Sequence, residues 1–428
     1  MSYTAPSSRP LVTRPAAAGS PWLWIVLSPT FVLSAAWLIG FVMYFVAASL
    51  RYELSYLRFL AAQVPDLATS YSYIWLVVAF LAMMGGIALA NFQNAQTAGT
   101  AIKPWSEPHS YRAIVIAFIV VAATAFLWVG ITVLQVGLGQ MISLAASENV
   151  EARDLVLDAQ FPGGRMISNG FMGIAVFVAS FIALPRKTPL KSDKLTILIA
   201  IWGFSLFYLG IMPILISGRI NFFAAIIGSY IAACIVQRRL YAVQLIPVGL
   251  AAMALVWGAK QYFSMGHVTT ESPLAQAVQG ALFYFYNDMA NSLNIVGNIE
   301  GNYSFGWESL RFIFFFTFTD DLMLSLTADH RLHSGVFKDA GEFPLLTAPY
   351  VDFGYAGLAL LVLFGFIVQW LYNASRRDPR FAAACGLAIS GVAMSTHSAY
   401  LTGQDLMFNI FLVIILAYVS KGPVFKRA

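Results

Sequence analysis

The chain has 428 residues, of which 59% are hydrophobic and 11% charged, with a formal net charge of +5. A soluble globular protein carries about 25% charged residues, so the composition excludes an ordinary soluble enzyme and indicates a polytopic membrane protein. The excess of basic residues is not a nucleic-acid signal here, because in such a chain the sidedness of the charges carries the information.

Residues 1–20, "MSYTAPSSRPLVTRPAAAGS", are polar and rich in Pro, Ala and Ser, and are expected to be a disordered N-terminal segment. The apolar run at 21–50 is too long for the core of a signal peptide and reads as a signal anchor. Further apolar runs of spanning length predict helices at 71–92, 111–141, 166–184, 195–216, 220–236 and 242–258, giving seven spans within 21–258. A long loop at 259–355 follows, and three more spans at 356–373, 380–399 and 405–420 fall within 356–428. The expected fold class is therefore all-α, a bundle of about ten transmembrane helices. No internal repeat is visible.

Ten spans put both termini on one side. Segments on that side hold Arg9, Arg14, Lys103, Arg112, Arg186, Lys187, Lys191, Lys194, Arg238, Arg239, Arg376, Arg377, Arg380, Lys421, Lys426 and Arg427, against only Glu107, Asp193 and Asp378. The other side keeps nine basic and seventeen acidic residues. The positive-inside rule then makes both termini cytoplasmic and the 259–355 loop extracytoplasmic. A structureless loop of that length would be anomalous. Its two apolar stretches, "QGALFYFYNDMANSLNIVG" (279–297) and "SLRFIFFFTFT" (309–319), predict interfacial or re-entrant helices lying against the bundle. Short basic cytoplasmic loops leave little room for a nucleotide-using domain, so any chemistry is expected outside.

Arg219, in "ILISGRINFFAAII", separates two apolar runs on the extracytoplasmic side. A guanidinium beside a helix N-terminus suits a phosphate or diphosphate; a turn residue snorkelling to headgroups is the ordinary alternative. Arg311, Arg331 and Lys338 are further cations that could join it, and solvated surface charges otherwise. "TADHRLHSGVFKDAGEFPLL" (327–346) offers His330, His333 and Glu342 as candidate bases. Asp352, in "TAPYVDFGYAG" (347–357), is another, or simply a helix cap. His397, in "STHSAYLTGQD", is a fainter signal with packing as its ordinary reading. The H-x-x-H spacing of His330 and His333 is a weak metal pattern, and Cys234 and Cys385 lie in apolar runs, so neither a metal nor another cofactor is expected. CxxC, HExxH, Walker-type and GxSxG motifs are all absent from the sequence.

This arrangement resembles the oligosaccharide repeat-unit polymerases of the O-antigen (Wzy-type) class, relatives of the O-antigen ligases. The resemblance covers most of the chain as topology and rests on "SGRINF" (217–222) and "YVDFGYAG" (350–357). It implies a GT-C-like fold in the bacterial inner membrane and transfer of a growing glycan from an undecaprenyl-diphosphate carrier onto a new lipid-linked repeat unit. Arg219 would clamp the leaving diphosphate, and one of Glu342, His333, His330 and Asp352 would take the proton. Implied partners are the lipid-linked glycan donor and acceptor, membrane lipids and a chain-length regulator, with no nucleic acid. The ligases typically carry a histidine where this chain has Phe343, which disfavours a ligase of the usual kind. A flippase or other transporter is the rival from a different class, and it should place ionisable residues inside its spans, often with broken helices.

Overall fold

The computed structural model describes residues 21–62, 64, 68–95, 107–141, 163–186, 189–216, 219–265, 272–296, 298–299, 303–323, 325–326 and 343–420. Among them there are helices and connecting turns but no strand. Among the described residues, seven helices are long and apolar enough to cross a membrane: Pro29–Leu50, Ser70–Gln93, His109–Val136, Gly164–Ile182, Ser192–Ile211, Ile220–Gln237 and Ala348–Arg377. Shorter apolar helices at Val243–Ala259, Pro379–Ala393 and Gln404–Val419 stand where the other three spans are expected. The described residues form a helical bundle of the kind a membrane protein builds.

In chain order, α1 (Pro21–Val26), α2 (Pro29–Leu50) and the short α3 (Ser55–Ala61) precede α4 (Ser70–Ala95) and α5 (Glu107–Val136). Next come α6 (Gly164–Ser168), α7 (Phe171–Ile182), α8 (Ser192–Ile216), α9 (Arg219–Gln237), α10 (Ile246–Met265) and α11 (Pro273–Ile295). The chain closes with α12 (Arg311–Phe316), α13 (Ala348–Phe353), α14 (Gly357–Arg377), α15 (Ala382–Ala393) and α16 (Gln404–Val419). Two helix starts use the same device. Ser28 accepts from the Phe31 amide at 3.2 Å and Ser272 from the Ala275 amide at 3.3 Å, each followed at once by proline. Proline has no amide to leave unpaired in a first turn, and the serine oxygen satisfies one of the remaining donors.

The closest pair is α4 and α14, whose backbones touch. A Cβ on Gly86 would meet the Val362 carbonyl oxygen at 1.9 Å, and one on Gly365 would meet that of Met83 at 2.1 Å. Helices without a hydrophobic drive between them in lipid gain from such close approach.

One end of the bundle is basic. Gln237, closing α9, donates to the Ala183 carbonyl beyond α7, and Arg238 donates to the Arg376 carbonyl at 3.1 Å. Arg376 also lies over the Trp24 ring at 5.0 Å, and Arg380 pairs with Asp378 at 2.5 Å. The opposite end is polar. There Ser72 of α4 donates to the Leu293 carbonyl of α11, and Trp75 donates to the Leu346 carbonyl at 2.9 Å.

Two stretches take definite form. The 279–297 stretch is helical to Ile295, as part of α11, which packs on α2, α3, α4 and α10 and buries Asn287, Asp288, Asn291, Ser292 and Asn294. The 380–399 run stops being helical at Ala393. Twelve helical residues extend about 18 Å at 1.5 Å each, short of the roughly 30 Å hydrocarbon core. The chain thus leaves the helix part-way, at "STHS" (395–398), residues whose side chains bond locally or across rather than continuing a helix. Trp37, near the middle of α2, donates to Ser395 Oγ at 3.0 Å. Irregular backbone at this depth is tolerated where protein buries it or where it lines a cavity.

Candidate functional site

Of the residues singled out from sequence, Glu342, His333, His330, Arg331 and Lys338 lie outside the described residues. Arg219 is the first residue of α9, at the polar end. Its guanidinium lies outside the described part of the chain.

Arg311 opens α12 and is exposed, with its guanidinium 4.6 Å from the centre of the Trp307 ring. Stacking on a neighbouring indole keeps the charge at the surface while covering its apolar face. α12 itself leans on α16, with the Phe316 and Phe411 rings edge to face at 5.6 Å.

Asp352 is fully buried in α13. Oδ1 accepts from Ser304 Oγ at 2.5 Å and from the Glu308 amide at 3.0 Å; Oδ2 accepts from the Ser309 amide at 2.7 Å and from Ser309 Oγ. The Ser304 amide also bonds the Val351 carbonyl at 3.0 Å. Four donors satisfy a buried carboxylate, so this one holds the 303–310 turn against α13. It does not cap α14, whose start has no side-chain cap.

A second carboxylate, Asp405, stands at the first turn of α16. Its Oδ2 accepts from Asn169 Nδ2 at 2.9 Å and Asn221 Nδ2 at 3.1 Å. Tyr400 donates to Asn221 Oδ1 at 2.5 Å, and Asn409 donates to the Asp405 carbonyl at 2.7 Å while accepting from the Gly173 amide at 2.6 Å. This network ties together the α6–α7 break, the first turn of α9 and the start of α16. Asn221 is two residues after Arg219, so the same network fixes the helix end that Arg219 opens.

The third feature is a hydrogen-bonded pair between distant segments. His397 Nδ1 lies 2.7 Å from Asp288 Oδ2. The histidine side chain is 35% exposed and the aspartate side chain 6%, so the ring is partly accessible while its partner is buried. Tyr284, one turn earlier on α11, meets the imidazole edge to face at 5.4 Å and is itself backed by Trp257 at 4.9 Å. The linker that carries His397 is held on its other flank as well. Leu345 donates to the Ser395 carbonyl at 2.9 Å, and Ala399 donates to the Phe343 carbonyl at 2.7 Å. The hydroxyls of Ser292, Thr347 and Ser398 are buried and without a partner among the described residues. Such atoms cost roughly 1–3 kcal/mol each unless water or a polar ligand group completes them.

Sequence reasoning placed no weight on Asp288, Asn169 or Asp405. A signal was present in α11, where Gln276, Gln279, Asn287, Asn291 and Asn294 recur at helical spacing among aromatics. That pattern marks a polar face on a helix the bundle must bury. No group of three or more His, Cys, Asp or Glu suited to a metal ion occurs among the described residues. No family model matches the chain, and neither a curated protein nor a solved structure does.

Proposed function

We propose that the protein is an inner-membrane glycosyltransferase that polymerises undecaprenyl-diphosphate-linked oligosaccharide repeat units at the periplasmic face, with both termini in the cytoplasm. A hydroxyl of the incoming lipid-linked unit attacks the anomeric carbon of the growing chain. The bond from that carbon to the diphosphate oxygen breaks, its electron pair leaves with the lipid diphosphate, and the hydroxyl proton passes to a base. Arg219 would clamp the diphosphate as its charge develops. A helix N-terminus with a guanidinium gives such an anion donors and a positive dipole end together.

The observation that carries this reading is the buried Asn169–Asn221–Asp405 network, which fixes the helix start that Arg219 opens and is joined through Tyr400 to the segment carrying His397. A basic opposite end supports the sidedness, because basic residues favour the cytoplasm. The test is the glycolipid profile of a deletion strain. Loss of the long-chain ladder with single repeat units left on carrier or surface supports the reading, and long polymer retained on the carrier points to a ligase.

A transporter of the same lipid-linked glycan is the second reading. The broken α15–α16 region and Asp288 within the bundle favour it, since transporters site substrates at interrupted helices. Single units trapped on the cytoplasmic leaflet of the deletion strain would select it.

A further inference from the structure

We propose that His397, oriented by Asp288, is the base that accepts the proton of the attacking sugar hydroxyl. This rests on the glycosyltransferase reading above. An ionised carboxylate only accepts hydrogen bonds, so Asp288 at 2.7 Å makes Nδ1 the donating nitrogen. The basic lone pair is then on Nε2, the far side of the imidazole. The 35% exposure of the His397 side chain, against 6% for Asp288, fits this division of labour, with one residue accessible and the other anchored inside.

Several contacts fix the ring, as a base must be fixed before proton transfer can help. Tyr284 and Trp257 back it from α11 and α10. From α2, Trp37 holds Ser395, and a Cβ added at Gly40 would meet Thr396 Cγ2 at 2.8 Å. From the segment before α13, Leu345 and Phe343 hold the linker by backbone hydrogen bonds. Among the described residues, Asp288 and Tyr284 on α11 are titratable groups that meet the imidazole, and α2 presents Trp37 and Gly40 at this linker.

In the step, Nε2 takes the hydroxyl proton as the oxygen bonds to the anomeric carbon and the lipid diphosphate departs. The imidazolium that results stands beside the Asp288 carboxylate, which stabilises it. Deprotonation by bulk water returns the neutral ring. Asp288 acts through His397 and is a positioning residue.

The experiment uses the full-length protein in native membranes, with single lipid-linked repeat units extracted from the deletion strain as substrate. His397→Ala and His397→Gln are each expected at wild-type abundance with polymerisation lowered about 100-fold or more. Asp288→Asn should lower kcat with KM for the lipid-linked unit little changed, because the carboxylate orients the ring and does not bind the substrate. Polymerisation close to wild type in His397→Gln overturns the assignment and leaves the glycosyltransferase reading standing. If neither histidine variant accumulates, Asp288→Asn decides: a lowered kcat at unchanged KM supports the base, and an unchanged kcat overturns it. A deletion strain with an unchanged glycan profile overturns both readings together.

Discussion

Asn221 and Asp405 are 184 residues apart in the chain, yet the carboxamide nitrogen of the first lies 3.1 Å from the carboxylate of the second. Asn169 donates to the same oxygen at 2.9 Å. One side chain therefore locks three helix starts. Asp405→Ala would leave two buried carboxamides without their acceptor, and hydrogen bonds to a charged group contribute roughly 1.5–3 kcal/mol each. The expected loss is about 2–3 kcal/mol after partial rehydration, read as a lower melting temperature of the purified protein in detergent. Asp405→Asn, which retains one acceptor oxygen, should lose less. An unchanged melting temperature for Asp405→Ala would show that the network holds nothing.

Asp352 separates architecture from chemistry. Its carboxylate accepts from Ser304, Glu308 and Ser309 and is fully buried. Asp352→Ala is expected to destabilise the protein by on the order of 3 kcal/mol, since several donors lose their acceptor at once. Asp352→Asn keeps one acceptor oxygen but turns an amino group toward donors, so it should be intermediate. If Asp352 is architectural, polymer formed per folded molecule will be nearly normal in Asp352→Asn even where abundance falls. Normal abundance with polymer abolished would instead make it the base.

The long apolar helices were legible because hydropathy summed over a spanning window overrides local detail. The runs at 71–92 and 195–216 correspond to α4 and α8. The break after Ala393 was not legible, because "CGLAISGVAMSTHSAYL" is small and apolar enough to extend the run. What ends α15 is tertiary: Trp37 holding Ser395, and Leu345 holding the Ser395 carbonyl. The same is true of the site. Asp352 was visible from sequence as a carboxylate at a span boundary, but its four donors come from the 304–309 turn, which no spacing rule connects to it. His397 was visible as a histidine near a span end; its partner sits 109 residues earlier, on a helix whose polar face alternates with Phe and Tyr. Pairings across such distances follow from the fold and leave no local pattern.

The α4–α14 contact should tolerate no side chain. A Cβ on Gly86 would fall 1.9 Å from the Val362 carbonyl oxygen, and that atom is backbone, which a rotamer change cannot move aside. Separating the helices would also disturb the carboxamides at their basic end, where Gln369 donates to Asn91 at 2.7 Å and to Asn373 at 3.0 Å. Gly86→Val or Gly365→Val is expected to cost about 3 kcal/mol or more, seen as loss of monodisperse protein on size-exclusion chromatography. Gly85→Ala is the control: the neighbouring position has nothing within 4 Å of an added Cβ and should behave as wild type.

Arg219 carries the diphosphate proposal, and its position makes the proposal testable apart from folding. It opens α9, so replacing it removes a charge from a helix start. The helix start stays fixed from Asn221 through Asp405 and Tyr400. Arg219→Ala is therefore expected to insert at wild-type abundance and to form no long-chain polymer, scored by membrane fractionation and glycan ladder in the same cells. Arg219→Lys should recover little, because a point charge cannot reproduce the two parallel bonds a guanidinium makes to a diphosphate. Full recovery by lysine would mean that charge alone suffices at this helix end, and a normal ladder from Arg219→Ala would remove the clamp altogether.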